Sequence, residues 1–348
     1  MGGVIGLGKK LLTSPSYRAG LKALLKSPIN SLREIVEKGE RPSGTTNYLF
    51  CMAHPDDEIL IAGFGNRASR QGRASFMTFT DGGANTDRDR LPELQESYAV
   101  MGYYGKVDNL MNEMEIYGLA KSEPGTSADK RNVSRLAELV LWGSEEIARR
   151  AEEAKAGVIV TNAFEGGHPV HDLTNMATFL AARSLLGVRL YETPQYSLVL
   201  NDGIKVSEVE AAINHNKNSE NGNLIPVSNL ARYSMGIPLT EASVGLHDPS
   251  LGVKDGSFDV TFGDFRRKLA MKGIHASQGK SLGGSSRNIT HADFSRERIL
   301  AVPTERDFTT LPSRAYPLYE LCKWRINPIS FETIRRVAME LELDGREE

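Results

Sequence analysis

The sequence predicts an α/β fold: a mostly parallel sheet with helices on both faces, preceded by a helical N-terminal extension. Two observations carry this. From Thr45 onward, strand-like apolar runs alternate with helical segments, the pattern of a parallel sheet whose crossovers are helices. Two of those strand runs, YLFCMA (48–53) and GVIVTNAF (157–164), lead into His-Pro and then a helix.

The elements follow in order. Residues 1–44 form the extension. Ser14-Pro15 reads as an N-cap and first helical position, and Tyr17, Leu21, Leu24 and Leu25 then repeat at helical spacing until Pro28. Ser31-x-x-Glu34 is a capping box and Gly39 a stop signal. Lys9, Lys10, Arg18, Lys22 and Lys26 face no acid within the first thirty residues. Such a basic helix suits peripheral contact with a membrane surface; the commoner reading is a solvated face whose apolar side packs on the body.

The body spans 45–348. YLFCMA is followed by a helical DEILIAGFGNRASRQG (57–72), the strand ASFMTFT (74–80) and the glycine-bearing loop DGGANTD. Helices follow at LPELQESYAVMGYYG (91–105) and LAELVLWGSEEIARRAEEAK (136–155), then GVIVTNAF and the helix VHDLTNMATFLAARSLLG (170–187). Residues 200–265 are loop-rich and read as a cap over the carboxyl edge of the sheet, bearing substrate selectivity. The last helix, SFETIRRVAMELEL (330–343), presents Phe331, Ile334, Ala338 and Leu341 on one face, which suits packing on the core.

Composition narrows the function classes. The chain has 348 residues, 40% of them apolar and 25% charged, with a net charge of −2. That balance argues against nucleic acid as a partner. Cys51 and Cys322 make no CxxC motif and no disulfide framework, which suits the cytoplasm. No apolar run reaches the ~20 residues that span a bilayer.

In open α/β sheets, ligands bind beyond the carboxyl ends of the strands. HPDDE (54–58) and HPVHD (168–172) both fall there. Pro and acidic residues at a helix start are also ordinary capping, but capping gives no reason for histidine at two strand ends. A catalytic zinc takes three protein ligands from His, Asp or Glu and keeps a position open for water. His54 and Asp57, three apart at a helix start, share one side of the first turn, and His171 can add a third ligand from the neighbouring strand end. Asp56, turned differently, is left to act on water, and His168 to face substrate.

AHPDDE (53–58) with GGHPVHD (166–172) resembles the PIG-L/LmbE-like deacetylases, zinc-dependent enzymes that remove acetyl groups from N-acetylglucosamine units. TFTDGGANTD (78–87), Arg90 and Glu93 before MGYYG, and KLAMKGIHASQ (268–278) resemble further landmarks of that family. The resemblance implies a Rossmann-like sheet and a Zn2+ cofactor held by His54, Asp57 and His171. It also implies Asp56 as general base and a protonated His168 stabilising the oxyanion. The expected reaction is hydrolysis of an N-acetylated amino sugar, a small molecule or glycoconjugate, and a homo-oligomer is the expected assembly. One departure stands out: many relatives carry Asp, which helps orient a motif histidine, where this chain has Val170. A metal-dependent amidase on a non-sugar substrate, and a catalytically silent sugar-binding protein, are the alternatives.

Four further residues are candidates for substrate contact. Asp81 and Asn85 bond sugar hydroxyls or make Asx-turns; Arg90 contacts substrate or pairs with Glu93; His275 lines the pocket. His215, His247 and His291 read as surface loop residues.

Overall fold

The computed structural model describes residues 46–83, 89–120, 126–164, 168–194, 197–200, 231–234, 245–275, 277, 296–303, 305–310 and 331–343, with isolated positions between 203 and 215. The N-terminal extension, Asn85 and much of the expected cap lie outside the described residues.

β1 (Asn47–Met52) leads through a 3-10 turn (Asp57–Ile61) into α1 (Ala62–Arg70). β2 (Ala74–Thr80), α2 (Leu91–Val100), β3 (Asn109–Met111), α3 (Glu113–Ala120) and α4 (Ser127–Glu153) follow. β4 (Ala156–Asn162), α5 (Pro169–Ser184), β5 (Arg189–Thr193), β6 (Ser197–Leu200) and β7 (Ala231–Ser234) come next. The chain then forms β8 (Val253–Lys254), β9 (Ser257–Asp259), α6 (Phe262–Ile274), β10 (Arg296–Arg298), β11 (Leu300–Ala301) and α7 (Phe331–Glu340).

The main sheet has the order β11-β5-β4-β1-β2-β3. All its pairings are parallel except β11 with β5. β1 is central because its residues are apolar on both faces. Leu49 and Cys51 join Met77, Phe79 and Ile159 under α4, α5 and α7. Tyr48, Phe50 and Met52 join Phe76, Val158 and Val160 under α1, α2 and α6. This period-two alternation across a doubly covered sheet is why the strands read as continuous apolar runs. The chain winds outward from β1 to β3, then crosses back to place β4 on the other side of β1. The carboxyl ends of β1 and β4 therefore flank the switch point, where such sheets open a crevice.

Several elements differ from the sequence reading. α4 begins nine residues earlier than expected, with Thr126 as N-cap accepting from the Asp129 backbone N–H at 3.1 Å. Part of the expected cap belongs to the body: Leu246, Leu251, Val253 and Phe258 are buried in the same apolar cluster as Tyr48 and Phe64. Asp248 anchors this segment, accepting from the Tyr48 hydroxyl at 2.5 Å and from Arg73 Nη2 at 2.6 Å. Ala74, which follows Arg73, pairs with Tyr48 at the start of β1, so the segment sits toward the amino ends of the strands. α7 packs as expected, with Ile334, Val337 and Ala338 in the core and Arg336 paired to Asp129 of α4 at 2.5 Å.

Candidate metal centre

HPDDE does not cap a helix in the ordinary way. Asp56 precedes the 3-10 turn with φ 124° and ψ −22°, and its side chain makes no capping bond. Positive φ at a non-glycine residue costs of order 1–3 kcal/mol and persists only where the surroundings enforce it. Glu58 is one enforcing group: its Oε2 accepts the Asp56 N–H at 2.8 Å, and its Oε1 accepts from Ser97 Oγ at 2.5 Å. His275 Nε2 lies 2.6 Å from the same Oε1. Asp57 turns inward, accepting the His54 backbone N–H at Oδ2, 2.9 Å away.

β1 and β4 are stitched together just before the motif histidines. Asn162, the last residue of β4, accepts the Ala53 N–H at 2.8 Å. On the other flank the Thr80 hydroxyl donates to the Ala53 carbonyl at 2.8 Å. Asn175 of α5 donates to the Asn162 carbonyl at 2.7 Å, which ties the helix bearing His171 to the same strand end.

Three potential ligand atoms meet there. His54 Nδ1 lies 3.3 Å from Asp57 Oδ2 and 3.2 Å from His171 Nε2, and His171 Nε2 lies 3.4 Å from Asp57 Oδ2. A tetrahedral zinc with metal–ligand distances near ~2.05 Å has ligand–ligand edges of about 3.3 Å, so this triangle fits one face of that tetrahedron. A second group overlaps it: His54, His168 and His171, all buried, each offer a ring nitrogen within 4.8 Å of the others. The His168 and His171 rings stack with centroids 3.8 Å apart. Either trio could hold a metal, and both share His54 and His171.

The charges around His54 favour a cation. Burial alone would lower its pKa, but the carboxylates of Glu113 and Asp57 outweigh this and hold it at about 10. Burial raises the Asp57 carboxyl, yet His171 and His54 pull it well below the ordinary carboxylate range. Asp56 is pushed up to about 6 by burial, against the pull of Arg90, whose Nη2 lies 3.4 Å from Asp56 Oδ2. His168 differs from the protonated ring that the motif resemblance implies. Burial and the neighbouring His171 and His54 hold its pKa well below the ordinary histidine value, so the neutral imidazole is favoured. Val170 packs into the apolar cluster under α4 and α5 and offers the histidines no carboxylate.

Of the other candidates, Asn85 lies outside the described residues, and Asp81, Arg90 and His275 each bond protein groups. Asp81 makes the expected Asx-turn to the Gly83 N–H at 3.0 Å and also accepts from the Glu113 N–H and Asn112 Nδ2, each at 2.9 Å. Arg90 is a buried bolt between loops, donating to the Pro55 carbonyl and, at 3.3 Å, to the Gly82 carbonyl. It also approaches Glu93, at 3.8 Å. Gly82, at φ +66°, is required there, because a Cβ would stand 2.3 Å from Arg90 Nη1. His275 is buried, its Nε2 2.6 Å from Glu58 Oε1.

Glu113 is the residue that the sequence reading missed. It is 3% exposed, and its Oε1 lies 3.0 Å from His54 Nε2. It follows the carboxyl end of β3, so the strand-end rule that flagged HPDDE applies to it as well. β3 has only three residues, too few to be read as a strand from sequence.

The fold and this site define an α/β protein with a buried, metal-competent cluster at the sheet's switch point. No family model and no curated protein matches the chain. Solved structures do resemble it. One is the A40926 pseudoaglycone deacetylase Dbv21, with 16% identity over 75% of this chain and 98% of that one, at a TM-score of 0.44. Another is the zinc-inhibited form of teicoplanin deacetylase Orf2, with 15% identity over 74% of this chain and 97% of that one, at 0.44. A third is the N,N'-diacetylchitobiose deacetylase of Pyrococcus horikoshii, with 16% identity over 83% of this chain and 92% of that one, at 0.39. All three of these structural neighbours are deacetylases, at low sequence identity to this chain. Among the described residues no helix is long and apolar enough to cross a membrane.

Proposed function

We propose that the chain is a zinc-dependent N-deacetylase acting on an N-acetylated amino sugar. The observation that carries this reading is the triangle of His54 Nδ1, Asp57 Oδ2 and His171 Nε2, with sides of 3.2 to 3.4 Å. These three residues hold the metal. Zinc supplies Lewis acidity, polarising a carbonyl and lowering the pKa of water toward ~7. Asp56 flanks the trio on a strained backbone, its Oδ2 3.4 Å from Arg90 Nη2. It takes a proton from the attacking water and returns it to the departing amine. His168 lies across the trio, its ring centroid 4.9 Å from that of His54. It donates an imidazole N–H to the carbonyl oxygen as charge develops, and such preorganised donors are often the largest catalytic contribution. The products are acetate and a free amine.

The substrate class is the one the motif resemblance implies. The test is acetate release from a panel of N-acetylglucosamine conjugates, with an N-acetylated non-sugar amine as control. Acetate from the sugars alone supports the reading. Acetate from the non-sugar amine alone makes the chain an amidase of another class. Binding without acetate makes it a silent sugar binder.

A further inference from the structure

The described residues hold one more carboxylate aimed at the trio. Glu113 opens α3, where its backbone N–H is fixed by Asp81 Oδ1 at 2.9 Å. Its side chain points inward and brings Oε1 to 3.0 Å from His54 Nε2. The two nitrogens of one imidazole thus face different groups: Nδ1 faces Asp57 and His171, and Nε2 faces Glu113.

We propose that Glu113 is the positioning residue of the metal centre, an acceptor that fixes the ring of His54 and its tautomer so that Nδ1 is left to bind the metal. The inference rests on the zinc reading given above. An ionised carboxylate only accepts hydrogen bonds. With a metal on Nδ1 the ring keeps a single proton, and opposite Glu113 that proton sits on Nε2. A ligating histidine commonly donates its second N–H to a carboxylate in this way, and losing that partner typically costs about 10- to 100-fold in metal affinity. The same contact stops the buried ring from flipping, which would exchange the two nitrogens. Asp81 gains a role from the arrangement: by holding the first N–H of α3 it holds Glu113, and through Glu113 it holds His54.

The test is zinc affinity of the full chain, measured by competition with a chromogenic chelator, alongside melting temperature. Glu113→Met keeps the bulk and removes the acceptor. Glu113→Gln keeps an amide oxygen and removes the charge. The expected order is wild type tightest, Gln intermediate and Met weakest, with Met down by about 10- to 100-fold. In zinc-loaded wild type, a long-range 1H–15N spectrum should show His54 protonated at Nε2, and this signature should weaken or shift in the Met variant. If Glu113 only stabilises the start of α3, both variants will melt lower yet bind zinc as the wild type does, which overturns the proposal. If the Met variant does not fold, Gln decides: a loss of several-fold supports the proposal and unchanged affinity overturns it. Wild-type protein that binds no zinc, or His171→Ala that binds it normally, sinks the ligand assignment and this inference with it. Zinc lost in the ligand variants but kept in Glu113→Met sinks this inference alone.

Discussion

Asp56 and Asp57 are neighbours of one residue type, and the backbone separates their work. Asp57 begins the 3-10 turn and folds back on His54, whereas Asp56 sits at φ 124° with its carboxylate toward Arg90. Asp56→Asn is expected to keep its metal and lose about 10²- to 10⁴-fold in turnover, the usual contribution of a positioned base. Zinc content and acetate release measured on the same preparation check this. Normal turnover in the variant would remove Asp56 from the chemistry. Gly82 makes a second residue-scale prediction. Alanine there meets Arg90 Nη1 and Pro55 Cδ at a backbone angle of +66°, so Gly82→Ala should destabilise by at least about 1 kcal/mol. Denaturant titration would show it, and wild-type stability would mean that the loop moves freely. Most of these residues were legible in sequence because HPDDE and HPVHD are dense in ligand chemistry. Glu113 was not, because one of the two acids in NEMEIYG carries no pattern of its own.

The element that matters most is the break between the 3-10 turn and α1. Lys268 of α6 donates to the carbonyls of Ile59 and Leu60 at 2.6 and 2.7 Å, closing the end of the turn. Glu297 of β10 accepts the N–H groups of Gly63 and Phe64, each at 2.8 Å, and so caps the start of α1. The two side chains pair at 2.8 Å, both 1% exposed. Removing one partner of a buried pair typically costs about 3–5 kcal/mol, since the other charge is left uncompensated. Lys268→Met should therefore destabilise by that order in chemical denaturation, more than Glu297→Gln with Lys268→Met combined. Equal stability of the single and double variants would contradict this coupling. The sequence predicts one helix across 57–72, where the structure has a 3-10 turn and then an α-helix. The cause of the break lies more than 200 residues away, at Lys268 and Glu297, beyond any local pattern. The start of α4 was also hidden, because SADKRNVSR is polar and helical periodicity shows only once Leu136 begins the apolar stripe.

At the scale of the whole molecule, the two faces of the sheet and its switch point follow from the strands that were easiest to read. YLFCMA, ASFMTFT and GVIVTNAF are apolar on both faces, so their central place was legible; β3, β8, β9 and β10 are too short to be. The 245–260 segment was read as a cap, yet it buries Phe258 beside Phe64 and binds Asp248 to Tyr48 and Arg73. A buried polar anchor of this kind gives no periodic signal. It does give a pH dependence. Burial opposes ionisation of Asp248, but hydrogen bonds from Ser250, Tyr48 and Arg73 outweigh it and hold the carboxyl below its ordinary range. A depressed folded pKa contributes stability that is present above the unfolded value, about 4, and is lost as pH falls through the folded one. Melting temperature should thus fall below about pH 4, and Asp248→Asn should be less stable at neutral pH with a flatter acid limb. An unchanged acid limb in the variant would show that other carboxylates govern it. Residues 1–44 hold none of the motif residues, so their deletion is expected to leave zinc content and turnover intact; loss of activity in a folded, zinc-loaded truncation would give them a part in the site.

The zinc proposed among His54, Asp57 and His171 is open to a direct test, because two overlapping trios compete for it. The decisive measurement is zinc per chain, by elemental analysis after dialysis, in wild type, Asp57→Asn and His168→Ala. About one zinc in wild type and in His168→Ala, with little in Asp57→Asn, is the predicted result, since a neutral amide is a poorer zinc ligand than a carboxylate. Zinc retained by Asp57→Asn and lost from His168→Ala would contradict it and move the metal to the three histidines.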